Sequence, residues 1–317
     1  MMQKYMRELS IAFVLALLLL ALAVFAPNFF AIHPLLSRLT AQSPALVAAI
    51  GMTLVIVCRQ IDISIGSQFG MCAVVAGVLA AKGMSLPVVL LASAGAGAVM
   101  GATNGALVAW LRLPSIVVTL ATMVTWAEAL RLWQQGRLLD LPAHVKWLSL
   151  GQTAGQTTLV VFTVVLVLFA AWAMRNLAAG RHVFAVGNDA EAARLAGIDP
   201  QWVTFGVFVL MGVLMGIAAV MNIAQSPQVQ PTCGDGLELK VIAACVVGGV
   251  AVSGGRGGLL GVFLGFLLLA NVNPALTHFH AQAYWEKAIQ GLVILLAVVA
   301  DGVCSKLPNK AGDSKAK

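Results

Sequence analysis

The amino-acid sequence predicts an all-α, polytopic membrane protein, and three observations support this fold class. The chain of 317 residues is 60% hydrophobic and 10% charged, with a mean hydropathy of +0.95, which leaves too few charged side chains to cover a water-soluble domain of this length. Its uncharged runs are long, as in Gly83–Leu111 and Gly257–Trp285, and a helix needs about 20 apolar residues to cross the hydrocarbon core. Such continuous runs favour helices over the short alternating strands of a β-barrel.

The positions of charged residues divide these runs into about ten transmembrane helices. The eighth and tenth are short, and we expect the charges that flank them to reach back to the membrane interface. One transmembrane domain of residues 1–305, with a polar loop at about 176–201, precedes a polar tail of residues 306–317. The predicted helices span residues 9–30, 42–58, 64–81, 86–110, 114–133, 157–175, 202–224, 239–253, 257–275 and 284–301.

Lys and Arg residues indicate the orientation of the chain. If the N-terminus is cytoplasmic, twelve of the 19 Lys and Arg residues lie on the cytoplasmic side, as the positive-inside rule requires. An even number of helices then places the C-terminus in the cytoplasm as well. Because the net charge of +7 is explained by these boundaries and by anionic lipid, we predict the lipid bilayer as a partner and no nucleic acid.

The sequence contains no motif for catalysis, nucleotide binding or metal binding. Residues 248–258, GGVAVSGGRGG, are rich in glycine, but a phosphate-binding loop needs the order GxxxxGK[ST], and here Arg256 follows Gly255 with no Ser or Thr after it. We interpret this stretch as a tight turn between two helices. His278 and His280 have no neighbouring Cys, Asp or Glu that would complete a metal site. We predict that the chain is not an enzyme and binds no metal or cofactor itself.

A polar segment, GRHVFAVGNDAEAARLAGIDP, lies between the sixth and seventh predicted helices. Asn188 and Glu191 have the spacing of a capping box, and Gly197 suits a left-handed turn at a helix end. The segment therefore predicts a helix over Asp189–Ala196. Since two turns are marginal alone, this helix must dock, and its residues leave open whether it docks on a partner or on its own bundle.

This segment resembles the cytoplasmic coupling loop of the permease subunits of ABC sugar importers, in the ribose, rhamnose and autoinducer-2 branch. The resemblance extends from about Pro27 to Asp301. Blocks that agree with this family in the same order are PNFFAIHPLL at 27–36, AIGMTLVIVCRQIDISIGS at 49–67, NGALVAWLRLPSIVVTLAT at 104–122, GLELKVIAACVVGGVAVSGGRGGLLG at 236–261 and YWEKAIQGLVILLAVVAD at 284–301.

The resemblance implies an ATP-driven importer in the bacterial cytoplasmic membrane. Two permease chains, either a homodimer or a pair with a paralogue, would form the pore, and a periplasmic sugar-binding protein would deliver a rhamnose-like deoxyhexose, a ribose-like sugar or autoinducer-2. A separate ATPase subunit would bind ATP and magnesium and hold the coupling helix in a groove. The residues that this implies for ATPase coupling are Gly187, Asn188, Glu191, Ala192, Arg194, Leu195 and Gly197.

Several polar residues interrupt the apolar helices and are candidates for a translocation path. Asp62 and Ser64 lie in the break CRQIDISIGS, which is first interpreted as a cap for the third helix; the resemblance places the matching motif beside the path. Amides inside spans need hydrogen bonds from protein or water, or they line a path for sugar. The candidates are Asp62, Ser64, Asn104, Asn222, Asn271 and Asn273.

An ion-coupled secondary transporter of a small polar solute is the alternative function. Such transporters usually carry ionisable residues near the membrane midplane. In the predicted topology only Glu128 and Arg131 enter a span, and their spacing of three residues allows them to pair with each other. The remaining charges mark helix boundaries, which favours the ATP-driven importer.

Overall fold

Helices dominate the computed structural model of the chain, as the sequence predicts. Among the residues that the structure describes, six helices are long and apolar enough to cross a membrane, and two shorter apolar helices, Ile11–Val24 and Ile65–Ala81, accompany them. The described residues are 2–25, 27–135, 137–141, 145–146, 148, 150–226, 228–230, 232–278, 285, 287–292 and 294–295.

The elements follow one another with short connections, and two short strands pair antiparallel with Leu139 opposite Val229. They are α1 (Met2–Phe25), a 3-10 turn (Pro27–Phe30), α2 (Ile32–Val57), α3 (Ile65–Ala81), α4 (Leu86–Ala109), α5 (Ser115–Gln134), β1 (Leu139–Asp140), α6 (Gln152–Asn176), α7 (Ala178–Asn188), α8 (Ala190–Leu195), α9 (Pro200–Ile223), β2 (Gln228–Val229), α10 (Leu237–Val247), α11 (Leu259–Ala270) and α12 (Val272–His278).

The second helix begins ten residues earlier than predicted, at Ile32 instead of residue 42. Arg38 lies between the first and second predicted helices, 9–30 and 42–58. In the structure its guanidinium lies over the ring of Phe29 and donates a hydrogen bond to the Phe29 carbonyl. The charge is therefore accommodated within the helix. Pro44 also lies inside α2.

The last predicted helices differ most from the structure. The eighth, expected over 239–253, ends at Val247, because the chain turns at Gly249 with φ +87°. The ninth, expected over 257–275, is divided at Asn271 into α11 and α12. Most of the tenth, 284–301, and all of the tail, 306–317, lie outside the described residues; those described between 285 and 295 are helical.

Glycines bring α4 and α9 into direct backbone contact. On α4 these are Gly97 and Gly101, and on α9 they are Gly212 and Gly216; a Cβ at any of the four would overlap the facing backbone. The spacing of four residues keeps each pair on one helix face, as in other close helix pairs in membranes. Ser93 strengthens the contact, since its hydroxyl donates a hydrogen bond to the Gly216 carbonyl over 2.9 Å.

Candidate functional site

The polar segment before α9 folds into two helices instead of the one predicted. α7 was missed, although Val183, Val186 and Gly187 are buried at the spacing of one helix face. A Cβ at Gly187 would overlap the carbonyl of Val57, the last residue of α2. α7 therefore lies directly against the end of α2. We call the part of the bundle that holds α7, α8 and the C-terminal end of α2 the α8 end.

α8 spans Ala190–Leu195, and its N-terminal cap is Asp189, not Asn188 as predicted. Because α7 continues through Asn188, the chain first becomes extended at Asp189, whose Oδ1 accepts hydrogen bonds from the amides of Glu191 and Ala192 over 2.9 and 3.1 Å. Glu191 is thus the second helical residue and does not form the predicted capping box.

The C-terminal end of α8 agrees with the prediction. Gly197 has φ +83° and donates to the Arg194 carbonyl over 3.0 Å, and the Ile198 amide donates to the Ala193 carbonyl over 3.0 Å. These two bonds form a Schellman motif, which ends a helix sharply and satisfies its last carbonyls. Both ends of this very short helix are therefore capped.

The two sides of α8 differ in exposure. Ala193 is 4% exposed and attaches the helix to the bundle, whereas Leu195 is 83% exposed. Ala192 is exposed too, and Glu191 and Arg194 form an exposed ion pair with 3.8 Å between Oε1 and Nη2. A cleft of about 710 Å³ beside α8 is lined in part by Arg59. The outward side of α8 is a leucine bordered by charges.

Asp62 and Ser64 belong to a buried network and not to a simple helix cap. Ser64 precedes α3, but its side chain makes no cap hydrogen bond. Its amide and hydroxyl instead donate to Asp62 Oδ1 over 2.9 and 2.5 Å. Gln68 Nε2 donates to Asp62 Oδ2 over 3.0 Å, and Asn104 Nδ2 donates to Ser64 Oγ over 2.8 Å. Thr122 completes the set by donating to Asn104 Oδ1 over 2.9 Å.

Burial decides the electrostatics of this network. Asp62, Ser64, Gln68 and Asn104 are fully buried. Loss of solvent raises the pKa of the Asp62 carboxyl, while the hydrogen bonds from Ser64, Gln68 and Asn104 act in the opposite direction. Gln68 Oε1 receives no hydrogen bond from the described residues. Gln68 was missed by the sequence analysis, although it lies one helical turn after Ser64.

The remaining candidate amides lie elsewhere. Asn271 Nδ2 donates to the Leu267 carbonyl of its own helix over 2.7 Å, and the side chain of Asn273 lies outside the described residues. Asn222 lines a separate recess of about 290 Å³. The structure thus joins Asp62, Ser64 and Asn104 in one network and places Asn222 apart from them.

This polar recess lies far from the α8 end. Gln42 accepts a hydrogen bond from Lys240 Nζ over 2.5 Å, and the rise of about 1.5 Å per residue places Gln42 about 22 Å along α2 from Val57. Neither residue was predicted to form a site. Residues that line the recess include Gln42, Phe69, Asn222, Asp235, Lys240 and Gln290.

Glu128 and Arg131 pair as predicted, with 2.6 Å between Oε1 and Nη1, on the exposed side of α5. No group of three His, Cys, Asp or Glu residues that could hold a metal ion occurs in the described part of the chain. The pair satisfies its own charges, so it offers no separate ion site.

A family model and several named relatives each match most of this chain. Residues 35–298 match the family model described as "Branched-chain amino acid transport system / permease component". The autoinducer 2 import system permease protein LsrC of Salmonella typhi is 36% identical over 93% of this chain and 86% of its own length. The proteins of the same name from Salmonella paratyphi B and Escherichia coli K12 are 40% and 38% identical, over 80% of this chain and 74% and 75% of theirs. No solved structure matches the chain significantly.

Proposed function

Because the chain belongs to this family of transport-system permease components, we propose that it is the membrane-spanning permease subunit of an ATP-binding-cassette importer. The chain would form the pore with a second permease chain, and a separate ATPase would bind ATP and magnesium. A periplasmic binding protein would deliver the solute. The proposed solute is autoinducer-2 or a monosaccharide of similar size, since the named relatives are autoinducer 2 permeases.

The exposure of Leu195 is the observation that carries this proposal. A helix that docks on its own bundle would bury its largest apolar side chain, and α8 buries Ala193 instead. An apolar side chain that protrudes between charged groups favours association with a partner that removes it from water. α8 is capped at both ends, so a partner that grips it can move it as one rigid piece.

The polar recess supports the choice of a small polar solute. Its amides, from Gln42, Asn222 and Gln290, can both donate and accept hydrogen bonds, and Phe69 adds an apolar surface. Hydroxyl groups of a sugar need both kinds of partner. A volume of about 290 Å³ is at the small end of ligand sites and suits one monosaccharide-sized molecule. We assign this recess to the translocation path.

The α8 end would face the cytoplasm of a bacterial cell, with both termini on the same side of the inner membrane. A single cysteine at Leu195 should then resist an impermeant maleimide in intact cells, and one at exposed Lys82, just after α3, should react. Labelling at Leu195 but not at Lys82 would reverse the orientation.

The proposal is tested with purified components. The chain alone should release no phosphate from ATP above a mock preparation, and the complex with the ATPase should couple hydrolysis to uptake of labelled autoinducer-2, ribose or rhamnose into liposomes. Magnesium-dependent hydrolysis by the chain alone, or uptake without the ATPase, contradicts the proposal.

One observation favours the ion-coupled alternative. Asp62 is a fully buried carboxyl that accepts a hydrogen bond from Gln68 Nε2, and buried carboxyls can carry protons in transporters. The alternative predicts uptake that a protonophore abolishes while cellular ATP is maintained. Under the ATP-driven proposal, uptake persists in that condition.

A further inference from the structure

Arg59 has an unusual backbone conformation at the end of α2. Its amide donates to the Ile56 carbonyl over 2.9 Å and the Gln60 amide donates to the Val55 carbonyl over 3.0 Å, so Arg59 occupies the position of a Schellman motif that glycine normally fills. Its φ is +62°, a region that costs free energy for any residue with a Cβ. Glycine would adopt this backbone conformation with less strain than arginine.

The guanidinium of Arg59 bonds two other segments. Nε donates to the Ser253 carbonyl over 2.7 Å, and Nη2 donates to the Asn188 carbonyl over 2.8 Å. Ser253 belongs to residues 248–258, the glycine loop between α10 and α11. Asn188 is the last residue of α7 and directly precedes the cap of α8. One side chain thus joins α2, the glycine loop and the base of α8.

Close packing leaves this junction little freedom to deform. A Cβ at Gly254 would overlap the Arg59 side chain, and a Cβ at Gly255 would overlap Asn188. The Gly255 amide donates to the Val57 carbonyl over 2.8 Å. Because the guanidinium bonds main-chain carbonyls and the glycines leave no room for further atoms around it, a displacement of α8 pushes directly on the neighbouring segments.

The residues that follow Arg59 bond to the other side of the bundle. We call residues 58–64 the connector. The amides of Ile61 and Ile63 donate to Ser115 Oγ and Thr119 Oγ1 over 3.2 and 3.1 Å, both in the first turns of α5. The connector ends in the buried network, where Ser64 bonds to Asn104 of α4. It therefore spans from the base of α8 to α3, α4 and α5.

We propose that Arg59 is the positioning residue that transmits the movement of α8 to the connector and, through it, to α3, α4 and α5. This inference rests on the proposed function, because it requires an ATPase that moves α8. The guanidinium holds the connector against Asn188, so both move together. Without it, α8 can be driven while the transmembrane helices lag behind.

The test uses the complex of the chain, its ATPase and its binding protein in liposomes. Arg59→Gly is the main variant, because glycine accepts φ +62° and loses only the side chain. It should keep its abundance, bind the ATPase and hydrolyse ATP, while uptake per ATP falls by about tenfold, within the usual range for coupling between sites. Arg59→Lys should be intermediate, since one ammonium cannot reproduce a planar group that reaches two carbonyls.

Arg112→Gly is the matched control. Arg112 also has a left-handed backbone, with φ +54°, just after α4, and its side chain forms no hydrogen bond or ion pair within the described residues. Its uptake per ATP should equal that of the unaltered complex. An equal loss in this variant overturns the role of Arg59, because the loss would then follow from removal of any arginine at this face.

Further outcomes separate the inference from the proposed function. Normal uptake per ATP in Arg59→Gly, or loss of ATPase binding in that variant, overturns the role of Arg59 and leaves the proposed function intact. If Arg59→Gly does not accumulate in the membrane, Arg59→Lys is used in its place. An unchanged uptake per ATP in Arg59→Lys overturns the inference. An unaltered chain that fails to bind any ATPase overturns the proposed function together with it.

Discussion

The junction at the α8 end and the polar recess use opposite kinds of contact. At the junction, glycines and main-chain carbonyls meet, and Arg59 reaches two carbonyls while Gly255 donates to a third. In the recess, side chains such as Gln42, Asn222 and Lys240 surround a space of about 290 Å³. Main-chain contacts resist deformation, whereas side-chain amides can adapt to a solute. Force would therefore pass through the first region and selection would occur in the second.

The largest effect is expected at the outward side of α8. Leu195→Asp places a charge in the proposed contact with the ATPase, at a cost of about 2 kcal/mol or more, so uptake and co-purification of the ATPase should be lost. Membrane abundance should be normal because Leu195 is 83% exposed. Normal uptake, or disappearance of the protein, contradicts docking through Leu195.

Ala193→Asp is the contrasting variant on the same helix. Ala193 is buried against the bundle, so the charge should weaken the attachment of α8 and lower abundance or thermal stability. Equal behaviour of the two aspartate variants would mean that the two sides of α8 do not differ as described.

The junction itself should respond to a single methyl group. Gly187→Ala would drive a Cβ into the Val57 carbonyl, and overpacking of this kind costs about 1 to 3 kcal/mol. We expect lower thermal stability in detergent, with unaltered ATPase binding by the molecules that fold. Gly206→Ala on α9 is the control, because a Cβ there meets no neighbouring side chain or segment of the described residues within 4 Å. Equal melting temperatures in the two variants would refute the tight junction.

The recess should respond in affinity and not in stability. Asn222→Leu removes a group that can bond a solute hydroxyl, which should raise the KM for uptake by about tenfold, equivalent to about 1.4 kcal/mol. Asn271→Leu is the matched control, since that amide bonds its own helix at Leu267 and should leave KM unchanged. An unchanged KM in Asn222→Leu removes the recess from the path.

The smallest effect concerns the buried network. Thr122→Val removes the hydrogen bond to Asn104 Oδ1 and should cost about 1 kcal/mol of stability, measured as a modest fall in melting temperature. Thr125→Val, which removes only a bond to the carbonyl of exposed Ala121 on the same helix, should change it less. A larger fall for the control would show that the network adds little.

The sequence predicted local features of the molecule better than contacts between distant residues. Apolar runs predicted the helices, the family resemblance was confirmed, and the left-handed turn at Gly197 was correct. These features are local. The cap at Asn188 was wrong because α7 continues through that residue. The packing of Gly187 against Val57 beside it is a contact between distant residues that no local pattern shows.

Long-range contacts explain what the sequence analysis missed. Arg59 and Ser253 are 194 residues apart, and Gln42 and Lys240 are 198 apart, so no local pattern could pair them. Gln68 could have been found, because it follows Ser64 by one helical turn. Asp62 and Ser64 of one polar break and Asn104 of another helix were predicted as candidates for a translocation path, and the fold joins them in one hydrogen-bond network.

Saturation with solute distinguishes the two regions most directly. In liposomes that contain the complete complex, uptake per ATP is measured for Asn222→Leu and Arg59→Gly as the solute concentration on the binding-protein side is raised to saturation. Saturating solute should restore Asn222→Leu to the unaltered ratio, because only binding is impaired. It should leave the ratio of Arg59→Gly low, because transmission is lost. Recovery of Arg59→Gly at saturation, or failure of Asn222→Leu to recover, would contradict the separation of transmission from selection.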